Sequence, residues 1–236
     1  MIFEGEIKNE KIFHGKGKEY FQDQLIFNGE YFNGLKWNGI IKEFYENYSL
    51  KFEGKYINGK RSGEGKEYYK SGKLLYEGIY LNGLKSGNGK EYNGNGKLLY
   101  EGEYLIGERN GQGKEYYEEG KLLYEGGYLN GLKDGQGKEY YENGKVLYEG
   151  GYLNGERNGN GKEYNLDNEI EFDGEYFEGK RWEGRGIEYN ENGDIEFEGE
   201  YSKGKRWNGH SNEYDWENDG QIIFEGEIIE GEKIEF

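Results

Sequence analysis

The sequence predicts an all-β fold: a single-layer, elongated antiparallel meander of about twenty short strands built from tandem hairpins. Three observations carry this. An aromatic-x-Gly triplet, with x usually acidic, returns every 24 to 27 residues from one end of the 236-residue chain to the other. Each interval holds Asn-Gly or a related turn pair between alternating residues, the strongest short-range hairpin signal. Finally, 44 Gly and no Ala exclude long helices, because Gly costs about 1 kcal/mol per helical position relative to Ala.

The phase-marking aromatics are Phe3, Phe27, Phe52, Tyr76, Tyr100, Tyr124, Tyr148, Phe172, Phe197 and Phe224. They divide residues 1–236 into nine full units and a partial tenth, with no linker or composition shift, so one repeat array is expected. A type I′ turn needs positive φ at both central residues. That reading is applied to Asn95-Gly96, Asn143-Gly144 and Asn192-Gly193 between units, with Glu119-Gly120 standing in once. A second turn, around Asn130-Gly131, lies inside each unit.

Taking residues 119 and 120 as a two-residue turn pairs Gly113 with Gly126, Lys114 with Glu125 and Tyr116 with Leu123. One face then carries Tyr117, Leu122, Tyr124, Tyr128 and the paired glycines. The other carries Tyr116, Leu123 and a Lys–Glu ladder. Neither face is strongly apolar, which argues against a sandwich. The expected packing is aromatic rings on side-chain-free backbone, so that Gly126→Val costs far more than a surface change.

Units 3 to 7 have four residues from the turn Gly to the next Gly. Units 1, 2, 8 and 9 have five, the addition being Phe13, Trp37, Trp182 or Trp207. These aromatics are read in two ways: as plugs of a wider, bulged turn, or as partner contacts. Ile2 and Ile7 at one end and Ile228 and Ile229 at the other are further contact candidates, because an open sheet leaves unpaired edges. End pairing between copies would give a homodimer or filament; the other reading has further repeats supplying a cap beyond Phe236.

The motif Tyr-Glu-Gly-x-Tyr, x-Asn-Gly, Gly-x-Gly-Lys-Glu-Tyr resembles the MORN (membrane occupation and recognition nexus) repeat over residues 2–236. Lys114 to Leu122 is also similar to the variant repeat of bacterial antitoxin-like proteins. The resemblance implies a β-hairpin array. It leaves function open, since MORN arrays occur in cytoskeletal scaffolds, junction proteins, lipid kinases and a lysine methyltransferase. The chain departs from the usual form in its longer period and in Tyr where many copies have Trp.

The chemistry of an enzyme is not legible. Zero Cys excludes thiolate zinc sites and cysteine nucleophiles. His14 and His210 fall in different terminal units, the serines lack a Gly-x-Ser-x-Gly context, and no phosphate-binding glycine loop occurs. Residues 215–220 imitate the start of a calcium loop, but its twelfth position is Gly226 instead of a bidentate Glu. Asn47-Tyr48-Ser49 fits a glycosylation sequon, taken as incidental without a secretory signal. No cofactor or metal is expected.

A formal net charge of −17 argues against nucleic acid and anionic lipid as partners. The expectation is a non-catalytic, cytoplasmic protein-interaction scaffold whose ends and tyrosine-lined surface engage proteins or a second copy. The alternatives are a phospholipid-associating module and the localisation segment of a larger enzyme or antitoxin-like protein.

Overall fold

A computed structural model describes residues 2–8, 11–190, 192–215 and 221–235; residues 216–220 of the calcium-loop imitation lie outside it. Among the described residues there are twenty strands and no helix, in two compact units, residues 1–121 and 122–236. The first holds β1 (Ile2–Lys8), β2 (Lys11–Phe21), β3 (Gln24–Phe32), β4 (Leu35–Phe44), β5 (Leu50–Ile57), β6 (Lys60–Tyr68), β7 (Leu74–Leu81), β8 (Leu84–Tyr92), β9 (Leu98–Leu105) and β10 (Glu108–Tyr116). The second holds β11 (Leu122–Leu129), β12 (Leu132–Tyr140), β13 (Val146–Leu153), β14 (Glu156–Tyr164), β15 (Ile170–Phe177), β16 (Lys180–Tyr189), β17 (Ile195–Ser202), β18 (Lys205–Asp215), β19 (Gln221–Ile229) and β20 (Glu232–Glu235). Within each unit every strand pairs antiparallel with its chain neighbours, giving an open meander without a second layer.

The inter-repeat register matches expectation away from the turns. Gly137 faces Gly150, Lys138 faces Glu149 and Glu139 faces Tyr148; Gly89, Lys90 and Glu91 face Gly102, Glu101 and Tyr100 in the same way. Close to the turn the register slips by one, so that Tyr140 faces Val146 rather than Leu147.

The cause is the turn, and it corrects the type I′ assignment there. Gly144 N–H donates to the Tyr141 carbonyl at 2.8 Å, Tyr141 N–H donates to the Lys145 carbonyl at 2.9 Å, and only Gly144 takes positive φ, at +84°. This is a type I turn closed by a left-handed glycine bulge. Asn143 contributes its side chain instead, accepting from Lys145 N–H at 2.9 Å. The true type I′ pairs lie inside the repeats, as at Asn130 and Gly131, with φ of 51° and 85°.

The four-residue and five-residue repeats differ in slippage. Between the pairs Gly126–Gly137 and Tyr128–Lys133, β12 spends four residues against two on β11. Gly135 takes up the excess at φ +84°. The added residue of the longer repeats halves that slip: Glu30 faces Asn38 and Tyr31 faces Lys36. The larger bulge therefore belongs to the repeats without the extra aromatic, contrary to the wider-turn expectation.

Candidate interaction surface

Side-chain alternation places each phase aromatic and the Tyr four residues on along one face. Tyr76, Tyr100, Tyr124 and Tyr148 are fully buried there although no second sheet covers them. Three contacts do the covering. Below lie the paired glycines: a Cβ on Gly137 would sit 2.6 Å from Tyr124 Cε2. Beside them the rings meet edge to face, Tyr148 lying 5.4 Å from Tyr152 and 5.1 Å from Tyr176, a geometry that favours the ring quadrupoles.

Above each ring stands a cation nine residues further along the chain. Lys133 is 4.3 Å from the Tyr124 centroid, Arg157 4.3 Å from Tyr148, Lys85 4.3 Å from Tyr76 and Arg61 4.1 Å from Phe52. These cations are tied by carboxylates. Glu139 accepts from both Lys133 and Arg157 at 2.8 Å, and Glu163 accepts from Arg157 at 2.8 Å and Arg181 at 2.7 Å. Burial raises the Glu139 and Glu163 pKa values, but the hydrogen bonds and charges of these cations outweigh it and hold both carboxyls below the usual carboxylate range. The Tyr148 phenol is pushed up to about 12, chiefly by burial.

The opposite face carries the expected Lys–Glu ladder, with Lys138–Glu149 at 2.8 Å and Lys90–Glu101 at 3.1 Å. Tyr140 and Tyr92 donate to Glu125 and Glu77 at 2.6 and 2.7 Å, adding a rung that the residue pattern did not disclose. From β16 onward the ladder lysine is replaced by Ile187 and Asn212, opposite Glu198 and Glu225. Charge is uneven as well. Residues 1–121 hold 19 acidic and 19 basic side chains, net zero, whereas residues 122–236 hold 29 and 12, the whole net −17.

The extra aromatics pack over the next repeat's turn. Gly59 N–H donates to the Trp37 carbonyl at 2.8 Å, Asn58 N–H to Asn38 Oδ1 at 2.9 Å, and a Cβ on Gly59 would meet Trp37 Cε3 at 3.4 Å. Trp182 and Trp207 hold Gly204 and Gly231 in the same manner, at 3.0 and 2.9 Å. Phe13 meets His14, and its carbonyl accepts from Gly34 N–H at 3.1 Å. Of the remaining contact candidates, Ile228 is buried, Ile7 and Ile229 are exposed, and the Ile2 side chain lies outside the described residues. His210 stands across from Glu198 and Glu227, far along the chain from His14. No group of ligand residues able to hold a metal occurs among the described residues.

Sequence reasoning missed one surface feature. Apolar residues flanking the type I′ turns are exposed: Ile57, Leu81, Leu84, Leu105 and Ile106 in the first unit, and Leu129, Leu132, Leu153 and Phe177 in the second. Leu81 pairs with Leu84 across its turn. Leu84 reaches the following turn, 3.8 Å from a Cβ on Gly107. The result is an apolar ridge along the turn edge.

This fold of tandem hairpins with a fixed aromatic phase defines the class of protein: a β-hairpin repeat array. The chain belongs to the MORN repeat family. The MORN repeat matches residues 3–25, 76–98, 124–146 and 148–165, and the MORN repeat variant residues 61–82, 109–130 and 182–203, together more than half of the chain. No curated protein matches. Among solved structures, the crystal structure of TcdB2-TccC3 is similar over 93% of this chain and 15% of that one, at 12% identity and a TM-score of 0.22; the chain spans a small fraction of it, and nothing is argued from that likeness. MORN repeats are generally binding or scaffold modules, mediate protein or membrane interactions, and are typically non-catalytic.

Proposed function

We propose that the chain is a non-catalytic protein-interaction scaffold that presents its turn edge to partners. The observation that supports this is the exposed apolar ridge: Ile57, Leu81, Leu105, Leu129, Leu153 and Phe177 precede six successive type I′ turns, and Leu84 and Leu132 add the position that follows two of them. The inner tyrosines are consumed by packing, whereas the ridge leaves apolar side chains of successive repeats exposed side by side for a partner. The exposed Trp207, Ile7 and Ile229 are further contact points, through which end-strand pairing would also operate.

The test is affinity capture with the full chain from lysate of its source cells, followed by the variant Leu81→Glu/Leu105→Glu. The scaffold reading expects a reproducible set of proteins that the variant loses while keeping its far-UV spectrum. Capture unaffected by the variant would contradict it.

A further inference from the structure

We infer that the ridge formed by Ile57, Leu81, Leu84, Leu105 and Ile106 in the first unit, widened by the exposed Ile79 two residues before Leu81, pairs with the same ridge of a second copy of this chain. This rests on the scaffold reading and names its partner.

The first support is Ile106. Its φ is +52°, and it is 71% exposed. The same turn position holds Asn33, Asn58, Asn82, Asn130 and Asn154 in other repeats. Asn tolerates the left-handed region, whereas a β-branched side chain there is an outlier. A strained, solvent-facing Ile in the middle of an apolar ridge gains nothing for its own fold, and strain of this kind gathers where a surface is used. Its neighbours complete the contact: Leu105 is 53% exposed, Leu81 57% and Leu84 47%.

Three considerations select a second copy as occupant. One is area. The six side chains expose on the order of 600 Å² together, the upper end for a monomer's largest apolar patch; two such patches total about 1,200 Å², the lower bound of specific interfaces. Another is period. Successive repeats are two strands apart, about 9.6 Å, and a second copy carries the same spacing. Its apolar residues before the turns, the equivalents of Ile57, Leu81 and Leu105, seat between these along the ridge, with Leu84 adding a second row opposite Leu81, while an α-helical heptad, at about 10.5 Å, drifts out of step. The last is charge. The ridge lies in the unit with 19 acidic and 19 basic residues, so juxtaposing two of these units carries no net repulsion, unlike the −17 of residues 122–236.

Sedimentation velocity of the full chain from about 5 to 500 µM tests this. The expected mass moves from one copy to two, with a midpoint of tens of micromolar that does not weaken as salt is raised, since the contact is apolar. Ile106→Asn, which installs the residue most other turns carry, should move that midpoint at least tenfold higher while leaving the thermal midpoint equal or raised. Leu81→Glu/Leu105→Glu should remain a single copy throughout. Because the chain has no cysteine, Ile106→Cys should form a disulfide-linked dimer on oxidation.

A wild-type chain of one-copy mass at every concentration overturns the inference. So does association that both ridge variants leave unchanged, or that Ile7→Glu or Ile229→Glu abolishes while they do not. A shift with Ile106→Asn alongside failed lysate capture would support self-pairing and count against other protein partners. A strictly single-copy chain that still captures proteins through the ridge would do the reverse.

Discussion

The guanidinium of Arg157 lies 4.3 Å from the centre of the Tyr148 ring, nine residues before it in the chain. The same arm holds Glu139 and Glu163, each at 2.8 Å. A single cation thus covers a ring and joins two repeats. Arg157→Ala removes the ring contact and leaves two half-buried carboxylates without this partner, so it should lower stability by about 2–3 kcal/mol. Arg157→Lys should cost about 1 kcal/mol or less, because Lys85 and Lys133 fill this place in other repeats. Urea midpoints of the two variants check the order.

Stability should be flat across neutral pH and fall on both sides. Glu91, Glu139 and Glu163 have folded pKa values below the unfolded 4.5, so their stabilisation is complete above that pH and disappears as pH falls through the folded values. Tyr100 and Tyr148 go from 10.0 unfolded to about 12 folded. For these the stabilisation is complete below pH 10 and is lost between 10 and 12. Urea midpoints recorded from pH 3 to 11.5 should trace this plateau; a midpoint still rising above pH 10 would contradict it.

Turn chemistry should be readable by exchange of residues between repeats. Asn130→Ile places a β-branched side chain at φ +51° and should cost about 1–2 kcal/mol. The reverse change, Ile106→Asn, should gain about 0.5–1 kcal/mol. Thermal midpoints moving in the same direction for both would refute the assignment of strain at Ile106.

Much of this was legible in the residues. The phase of the aromatics, the glycine pairs and the outer Lys–Glu rungs follow from period-two alternation once one turn is placed. The inner cations were not found, although the signal was present: Lys or Arg recurs nine residues after every phase aromatic from Phe27 onward, as at Lys133 and Arg157. Seeing its meaning required the four-against-two slip beyond Gly126, because an unbroken register carries Gly137–Gly126 pairing straight through the bulge at Gly135. Asn-Gly likewise announces a turn without fixing the loop length. At Asn143 the length is set by the Tyr141–Lys145 backbone bond, which no dipeptide encodes. The ridge stayed hidden because Leu129 and Leu132 read as turn flanks, and their exposure depends on which face the turn edge leaves open.

The central claim is that rings resting on bare backbone hold the sheet together, and Gly126→Ala beside Gly144→Ala measures it most directly. A Cβ on Gly126 would meet Gly137 Cα at 2.6 Å and the Gln136 carbonyl at 2.7 Å, backbone that cannot move aside, under a fully buried Tyr124. At Gly144 nothing lies within 4 Å, and the cost is the φ of +84° alone. Urea unfolding followed by circular dichroism should show Gly126→Ala down by about 3 kcal/mol or more and Gly144→Ala by about 1 kcal/mol. Equal losses, or a larger loss at Gly144, would contradict the claim.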